Sequence, residues 1–155
     1  MPISTIDSYM IEKAQQASTK SHDPDRQVGV VVAVGDQILS TGANQPPVEM
    51  NLSVADSRKS ISSDPNWKYY VFEHAERNAI LHALINGKNV AGSTMYSTLY
   101  PCSDCARAIV ASKISRLVTT GPGSNPTRDA KWSDQYRYAS EILMTAGVII
   151  DFVDK

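Results

Sequence analysis

Cysteine is scarce in this 155-residue sequence, which contains only two. Both lie in the segment Cys102-Ser-Asp-Cys105, and a spacing of three residues does not suit a structural disulfide between distant segments. The sequence is therefore not a disulfide-stabilised scaffold. The pair instead indicates metal ligation or a thiol redox centre.

Long hydrophobic runs and an excess of one charge are also missing. No stretch approaches the roughly 18 consecutive apolar residues of a membrane span, and residues 1–11 lack the basic and apolar regions of a targeting signal. The formal net charge is −1 and the sequence pI is about 6.3, so there is no global positive field that attracts nucleic acids or anionic membranes. We expect a cytoplasmic protein with a small diffusible substrate.

What remains is the composition of one globular domain, which we place at residues 1–155, with 42% hydrophobic and 20% charged residues. Helical spacing of apolar residues and β-branched runs predict a set of alternating elements. The predicted helices cover residues 5–19, 73–86, 104–112 and 133–145, and the predicted strands cover 29–34, 38–41, 94–99, 116–120 and 148–153. An opening hairpin followed by alternating helices and strands predicts a three-layer α/β/α sandwich with parallel pairing in its second half.

Three segments are predicted to lack regular structure for most of their length. Residues 44–66 are rich in Pro, Ser, Asn and Asp and are interpreted as one long loop, with a short helix near 54–59. Residues 69–72 are predicted to be a short extended segment, and residues 121–131 a loop.

Two short motifs carry the chemistry of the sequence. His74-Ala-Glu76 and Pro101-Cys102-Ser-Asp-Cys105 each lie at the start of a predicted helix. Catalytic zinc sites use three protein ligands and keep one position open, whereas structural sites are closed by four. The motifs supply one histidine and two cysteines, and the other two histidines are interpreted as surface or packing residues. The sequence therefore predicts a catalytic zinc site formed by His74, Cys102 and Cys105.

Glu76 follows the histidine by two positions and is not needed as a ligand. Zinc lowers the pKa of water towards about 7, so a nearby carboxylate can act as a general acid and base. Hydrolytic deamination requires water attack at a ring carbon, protonation of a ring nitrogen and protonation of the departing ammonia. One carboxylate can transfer all three protons, and Glu76 is the predicted catalytic residue.

The order His-x-Glu, then Pro-Cys-x-x-Cys, is the signature of zinc-dependent nucleobase deaminases. With its flanking segments, the chain resembles the cytidine/deoxycytidylate deaminase superfamily, and within it most closely the deoxycytidylate (dCMP) deaminases. The segments that carry this resemblance are residues 23–29, 42–44, 68–70, 74–80, 95–96, 101–106 and 146–148.

The resemblance implies a five-stranded mixed sheet with helices on both faces, and a homo-oligomer, often a hexamer. It also implies hydrolysis of dCMP to dUMP and ammonia. By the same resemblance, Asn44 contacts the sugar, the backbone N–H of Ala75 holds the pyrimidine carbonyl, and Glu76 carries the protons.

A nucleotide substrate also requires cations that bind its phosphate. Lys20 and Arg26, in the polar segment before the predicted hairpin, are candidates for this role. Arg128 and Lys131 are competing candidates, and solvated surface charges are an equally good interpretation of Lys20 and Arg26.

Two departures from the family pattern refine the prediction. Regulated dCMP deaminases carry Gly-Tyr-Asn-Gly where this sequence has Gly42-Ala-Asn-Gln45, so we expect no feedback by dCTP or dTTP. Some relatives bind a second zinc through Cys and His of the long insertion, but residues 45–73 contain neither residue type. We therefore predict one zinc per subunit.

Other functions stay open at this point. Gly42-Ala-Asn-Gln-Pro46 is similar to the Gly-x-Asn-x-Pro segment of guanine and tRNA-adenosine deaminases, which favours a purine base or another nucleoside or nucleotide as the substrate. An unrelated alternative is a non-catalytic zinc-binding module used for assembly. Glu76 distinguishes an enzyme from such a module, because a purely structural zinc site does not need a carboxylate at that position.

Overall fold

The computed structural model describes residues 2–122 and 125–153, with the exception of the side chain of Arg128. A five-stranded sheet in the order β2-β1-β3-β4-β5 lies at the centre of the fold. Strand β1 pairs antiparallel with β2 and β3, whereas β3, β4 and β5 pair in parallel. The strands are β1 (Gly29–Val34), β2 (Gln37–Ala43), β3 (Thr94–Ser97), β4 (Arg116–Thr119) and β5 (Ile149–Phe152). The predicted mixed five-stranded sheet is confirmed.

Helices cover both faces of this sheet. They are α1 (Thr5–Ser18), α2 (Val54–Ser63), α3 (Trp67–Val71), α4 (Ala75–Ile85), α5 (Ser103–Ala111), α6 (Pro126–Asp129) and α7 (Ser133–Thr145), with 3-10 turns at Val48–Met50 and Ala130–Trp132. None of the described helices has the length and apolar character needed to cross a lipid bilayer.

The side chains of the interior strand β1 alternate between the two faces of the sheet and contribute to a separate core on each face. Val31 and Ala33 pack against α1, through residues such as Met10. Val30 and Val32 face the other core, to which α4, α5 and α7 contribute. An uninterrupted β-branched strand buried on both faces is what the sequence run Gly29–Val34 predicts.

The backbone of β2 lies very close to that of α4, the helix that begins at the histidine motif. A Cβ atom added at Gly42 in β2 would lie 2.3 Å from the carbonyl oxygen of Ala75 and 2.7 Å from the amide nitrogen of Ala79. Only glycine leaves room for this contact. The start of α4 is therefore held against the end of β2.

Three sequence-based predictions of irregular structure were wrong in part. Residues 69–72 do not form an extended segment, because α3 covers Trp67–Val71 and Trp67 and Phe72 pack edge to face at 5.9 Å. In the predicted 44–66 loop, α2 is longer than expected and begins with a capping box formed by Ser53 and Asp56. Aromatic and polar residues are poor helix formers, but tertiary packing and capping override that preference.

The predicted 121–131 loop also contains regular structure in its described part. Helix α6 begins at Pro126, where the missing N–H of proline costs no helical hydrogen bond. A 3-10 turn over Ala130–Trp132 follows directly and leads into α7. This compact arrangement places the side chain of Trp132 against the larger core.

Candidate active site and metal centre

The metal-binding group forms where two helices begin side by side. His74 immediately precedes α4, Cys102 immediately precedes α5, and Cys105 is the third residue of α5. The Nδ1 atom of His74 lies 3.5 Å from the Sγ atom of Cys102 and 3.5 Å from that of Cys105. The motifs are separated in sequence, and the fold brings their three donor atoms together.

This donor set fits zinc in both chemistry and spacing. Zinc bonds of about 2.0–2.1 Å to nitrogen and about 2.3 Å to sulfur, at tetrahedral angles, separate the two ligand atoms by about 3.6 Å. Both nitrogen–sulfur distances match this value. Within residues 2–122 and 125–153, His74, Cys102 and Cys105 are the one group of three or more side chains placed to hold a metal ion. The prediction of one zinc, with these residues placed to bind it, agrees with this geometry.

The two thiols share one proton, so that Cys102 ionises readily while Cys105 retains the proton. A hydrogen bond from Cys105 lowers the pKa of Cys102 to about 4, and the shared proton, together with burial, raises the pKa of Cys105 well above its usual value. Cys102 caps the start of α5 and Cys105 lies in its first turn, where the positive end of the helix dipole favours a thiolate. Metal ligands must be deprotonated, so the local field favours ligation.

Glu76 is the buried carboxylate beside this group. It is the second residue of α4 and is only 5% exposed. Burial, followed by the negative charge of Cys102, raises the pKa of the Glu76 carboxyl. A buried carboxyl beside the metal group is placed to accept and return a proton, as a general acid/base requires.

Two side chains hold the starts of the helices in place. The Glu73 carboxylate accepts hydrogen bonds from the backbone N–H of His74 at 2.9 Å and from Nε of Arg77 at 2.6 Å. On the other side, Gln135 of α7 accepts from the backbone N–H of Ser103 at 3.0 Å and from its hydroxyl at 2.6 Å. Such contacts orient the ligands that lie next to them. No motif of the sequence indicates the roles of Glu73 and Gln135.

A cavity of about 510 Å³ opens onto the metal group. This volume lies within the range of small-molecule sites. The cavity, called the pocket below, is lined by apolar and by polar side chains. The apolar and aromatic ones include Val28, Phe72, Leu99, Tyr100, Trp132 and Tyr136, and the charged or amide ones are Asp23, Asp25, Arg26, Asn44, Lys68, Glu76, Asp104, Lys131 and Gln135.

Three of the four expected substrate-binding residues line this pocket. They are Arg26, Asn44 and Ala75. The Asn44 amide also has a structural role, because Oδ1 accepts from the N–H of Val28 at 2.9 Å and Nδ2 donates to the carbonyl of Arg26 at 2.7 Å.

The remaining phosphate candidates are placed differently. Lys20 is exposed just after the end of α1 and is not among the pocket-lining residues. Lys131 lines the pocket, and the side chain of Arg128 lies outside the described part of the chain. The fold therefore brings Arg26 and Lys131 to the pocket and leaves Lys20 away from it.

An ion pair that the sequence does not predict lies in the wall of the pocket. Lys68 donates to both carboxylate oxygens of Asp23, at 2.9 and 3.0 Å. These residues are 45 positions apart, so no local spacing indicates their pairing. Residues 23–29 and 68–70 both carry the family resemblance, but this does not indicate that Asp23 and Lys68 pair.

The other two histidines lie outside the metal group, in agreement with their interpretation as packing residues. Nδ1 of His22 is 2.7 Å from the hydroxyl of Ser57, and burial lowers the pKa of His22. Nδ1 of His82 is 2.9 Å from the carbonyl oxygen of Thr41.

The fold and the site together define a zinc-dependent hydrolytic deaminase. Residues 4–120 match the family described as the cytidine and deoxycytidylate deaminase zinc-binding region. The chain is 32% identical over 151 residues to a probable deoxycytidylate deaminase of Drosophila melanogaster, covering 92% of this chain and 69% of that protein. It therefore belongs to the cytidine and deoxycytidylate deaminase family.

Further relatives extend this comparison. The deoxycytidylate deaminase of Homo sapiens is 32% identical over 111 residues, which cover 71% of this chain and 61% of the human protein. The solved dCMP deaminase of cyanophage S-TIM5, in complex with dCMP and dUMP, superposes with a TM-score of 0.70 at 20% identity and covers 96% of both chains. At that identity the superposition shows a shared fold.

Proposed function

We propose that this deaminase converts dCMP and water to dUMP and ammonia. The observation that carries the proposal is the buried carboxylate of Glu76 beside a three-ligand metal group, at a pocket of about 510 Å³. The choice of dCMP is supported by the names of the Drosophila and human relatives, both called deoxycytidylate deaminases.

Each step of the reaction has a residue available for it. When bound, zinc lowers the pKa of water and so provides a nucleophile at neutral pH. The Glu76 carboxylate takes a proton from the attacking water and passes it to the ring nitrogen of the base. It then carries the second proton to the amino group, the carbon–nitrogen bond breaks, and ammonia leaves as the ring carbon gains oxygen.

Two groups position the substrate in this proposal. Ala75 is the first residue of α4, so its N–H has no intrahelical acceptor and is available to the pyrimidine carbonyl. Asn44 retains a second amide proton and a second lone pair beyond its two backbone hydrogen bonds. These remaining groups are the ones we assign to the sugar hydroxyl.

A substrate panel tests the proposal. Ammonia release is measured with dCMP, CMP, deoxycytidine, cytidine, guanine and adenine nucleotides, together with the zinc content of the purified protein. We expect about one zinc per chain and the highest kcat/KM with dCMP. A guanine or adenine compound turned over as fast as dCMP would overturn the substrate assignment, and a zinc-loaded protein that releases no ammonia would favour the assembly module.

We further propose a homo-oligomer that acts in the cytoplasm. Two free cysteines are the metal ligands, and reduced thiols persist in reducing compartments. Assembly, as a hexamer, is suggested by the family resemblance alone. Sedimentation equilibrium of the zinc-loaded protein measures the subunit number, and a monomer at micromolar concentration would contradict the assembly.

A further inference from the structure

Among the side chains that the structure describes, three cationic ones line the pocket, and two of them are paired with carboxylates. Lys68 is held by Asp23 and lies 3.5 Å from Asp25 as well. Arg26 lies 3.4 Å from the buried carboxylate of Asp129. Each of these cations already has an anionic partner, so an incoming anion gains less from it than from an uncompensated charge.

Lys131 is the third cation, and its contacts are with neutral groups. Its ammonium nitrogen donates to the Tyr69 hydroxyl at 3.0 Å and lies 5.1 Å from the centre of the Tyr69 ring and 5.8 Å from that of Trp132. Among the described residues, no carboxylate lies within 4.0 Å of this nitrogen. Lys131 therefore adds a positive charge that the wall of the pocket does not cancel.

The residue that follows Lys131 anchors this part of the backbone. Lys131 belongs to the 3-10 turn Ala130–Trp132, and the ring of Trp132 packs against the larger core. The guanidinium of Arg26 lies 5.3 Å from the centre of the same ring. A cation on a rigid turn binds an anion with less loss of conformational freedom than one on a free loop.

Tyr69, on a different element of the fold, provides a second hydrogen-bond donor next to Lys131. It belongs to α3, and its hydroxyl accepts the hydrogen bond of Lys131 and retains its own proton to donate. An ammonium and a hydroxyl donor 3.0 Å apart at the edge of a pocket can bind two oxygens of one phosphate group.

We propose that Lys131, assisted by the hydroxyl of Tyr69, binds the 5′-phosphate of the substrate and makes the enzyme select nucleoside monophosphates over nucleosides. The inference rests on the proposed function, because it takes the pocket to be the nucleotide site. Lys131 is a binding residue and has no role in the proton transfers of Glu76.

Kinetics of Lys131→Gln with two substrates test the inference. For dCMP we expect KM to rise about 10- to 100-fold, the usual effect of losing a charged hydrogen bond of about 1.5–3 kcal/mol, while kcat stays within about threefold. For deoxycytidine, which has no phosphate, we expect kcat/KM to be unchanged. Lys131→Arg keeps the positive charge, so its KM for dCMP should lie close to that of the wild type.

Lys88→Gln is the matched control, since it removes an exposed lysine that does not line the pocket. It should leave both substrates unaffected. A Lys131→Gln enzyme that keeps its preference for dCMP, or that loses both activities equally, would overturn the inference and leave the proposed function intact. A wild-type enzyme that does not turn over dCMP would instead overturn the proposed function, and the inference with it.

Discussion

Two carboxylates of the pocket are buried, and their surroundings give them different chemistry. Asp23 is 5% exposed and is bound by the Lys68 ammonium. Glu76, equally buried, lies beside the thiol pair, and burial together with the charge of Cys102 raises its pKa. Asp23 is therefore a structural anion, whereas Glu76 is able to exchange a proton.

Glu76→Gln should separate zinc binding from catalysis. The amide keeps the shape of the side chain but cannot carry a proton, so we expect kcat to fall by about 10²-fold or more. Zinc should stay near one per chain, because the ligand group does not include residue 76. The measurements are ammonia release and metal analysis of the same preparation.

Glu12→Gln, on the exposed face of α1, provides the control and should retain full activity. A Glu76→Gln protein with wild-type kcat would show that another group carries the protons. Loss of zinc along with activity would show instead that residue 76 supports the metal site.

At the scale of elements, the active site depends on how closely α4 approaches β2. Gly42 meets the backbone of Ala75 and Ala79, and these atoms belong to the turn that carries Glu76. Gly29 makes a similar contact with α1, where an added Cβ would lie 1.9 Å from the carbonyl oxygen of Ala14. Helix α1 packs on the opposite face of the sheet and carries no metal ligand.

This pair of glycines allows a matched test. Gly42→Ala and Gly29→Ala both force a helix away from the sheet, and each should destabilise the fold by about 1–3 kcal/mol, the usual cost of overpacking. Only Gly42→Ala should also weaken zinc binding and lower kcat, because it displaces the start of α4. Urea unfolding and a zinc competition assay measure the two effects.

Equal losses of zinc affinity in both variants would contradict this account. In that case the metal site would respond to the general stability of the fold and not to the position of α4.

Charge pairing connects the elements across the whole molecule. Arg116 of β4 binds the Asp7 carboxylate of α1 at 2.8 and 2.9 Å and Asp151 of β5 at 2.8 Å. The Tyr96 hydroxyl of β3 donates to Asp7 at 2.9 Å. One buried cluster therefore joins α1 to three neighbouring strands.

This cluster predicts a loss of stability in acid. Hydrogen bonds from Arg116, and then from Ser4 and Tyr96, hold the pKa of Asp7 well below its usual range despite burial. A carboxyl with a lower pKa in the folded state stabilises the protein fully above its unfolded pKa of about 4, and this contribution is lost as the pH falls below that value. The unfolding free energy of the wild type should therefore fall more steeply between pH 5 and 3 than that of Asp7→Asn.

Urea unfolding at each pH measures both proteins. Acid also protonates the zinc ligands, but this effect is common to wild type and variant and cancels in their difference. Parallel pH curves would show that Asp7 does not contribute to the acid sensitivity.

The sequence predicts contacts between residues that are close along the chain better than contacts between residues that are far apart along it. His74, Cys102, Cys105 and Glu76 fall within two short motifs, each at a helix start, so their types and spacing were sufficient to predict a metal site. The Lys68–Asp23 pair and the Lys131–Tyr69 contact span 45 and 62 positions. No periodicity connects residues so far apart, so these contacts are not predictable from the sequence.

Local chemistry was thus enough to predict the strands of the sheet, the residues of the metal-binding group and the carboxylate beside it, because each prediction depends on neighbours within one or two turns. Tertiary structure alone decided which cations meet at the pocket. Tyr69 lies on helix α3 (Trp67–Val71) and Lys131 on the 3-10 turn Ala130–Trp132, and the fold brings the two together while Lys20 stays outside the pocket. Packing of these helices against the core, and not their own sequence preference, sets the shape of the substrate site.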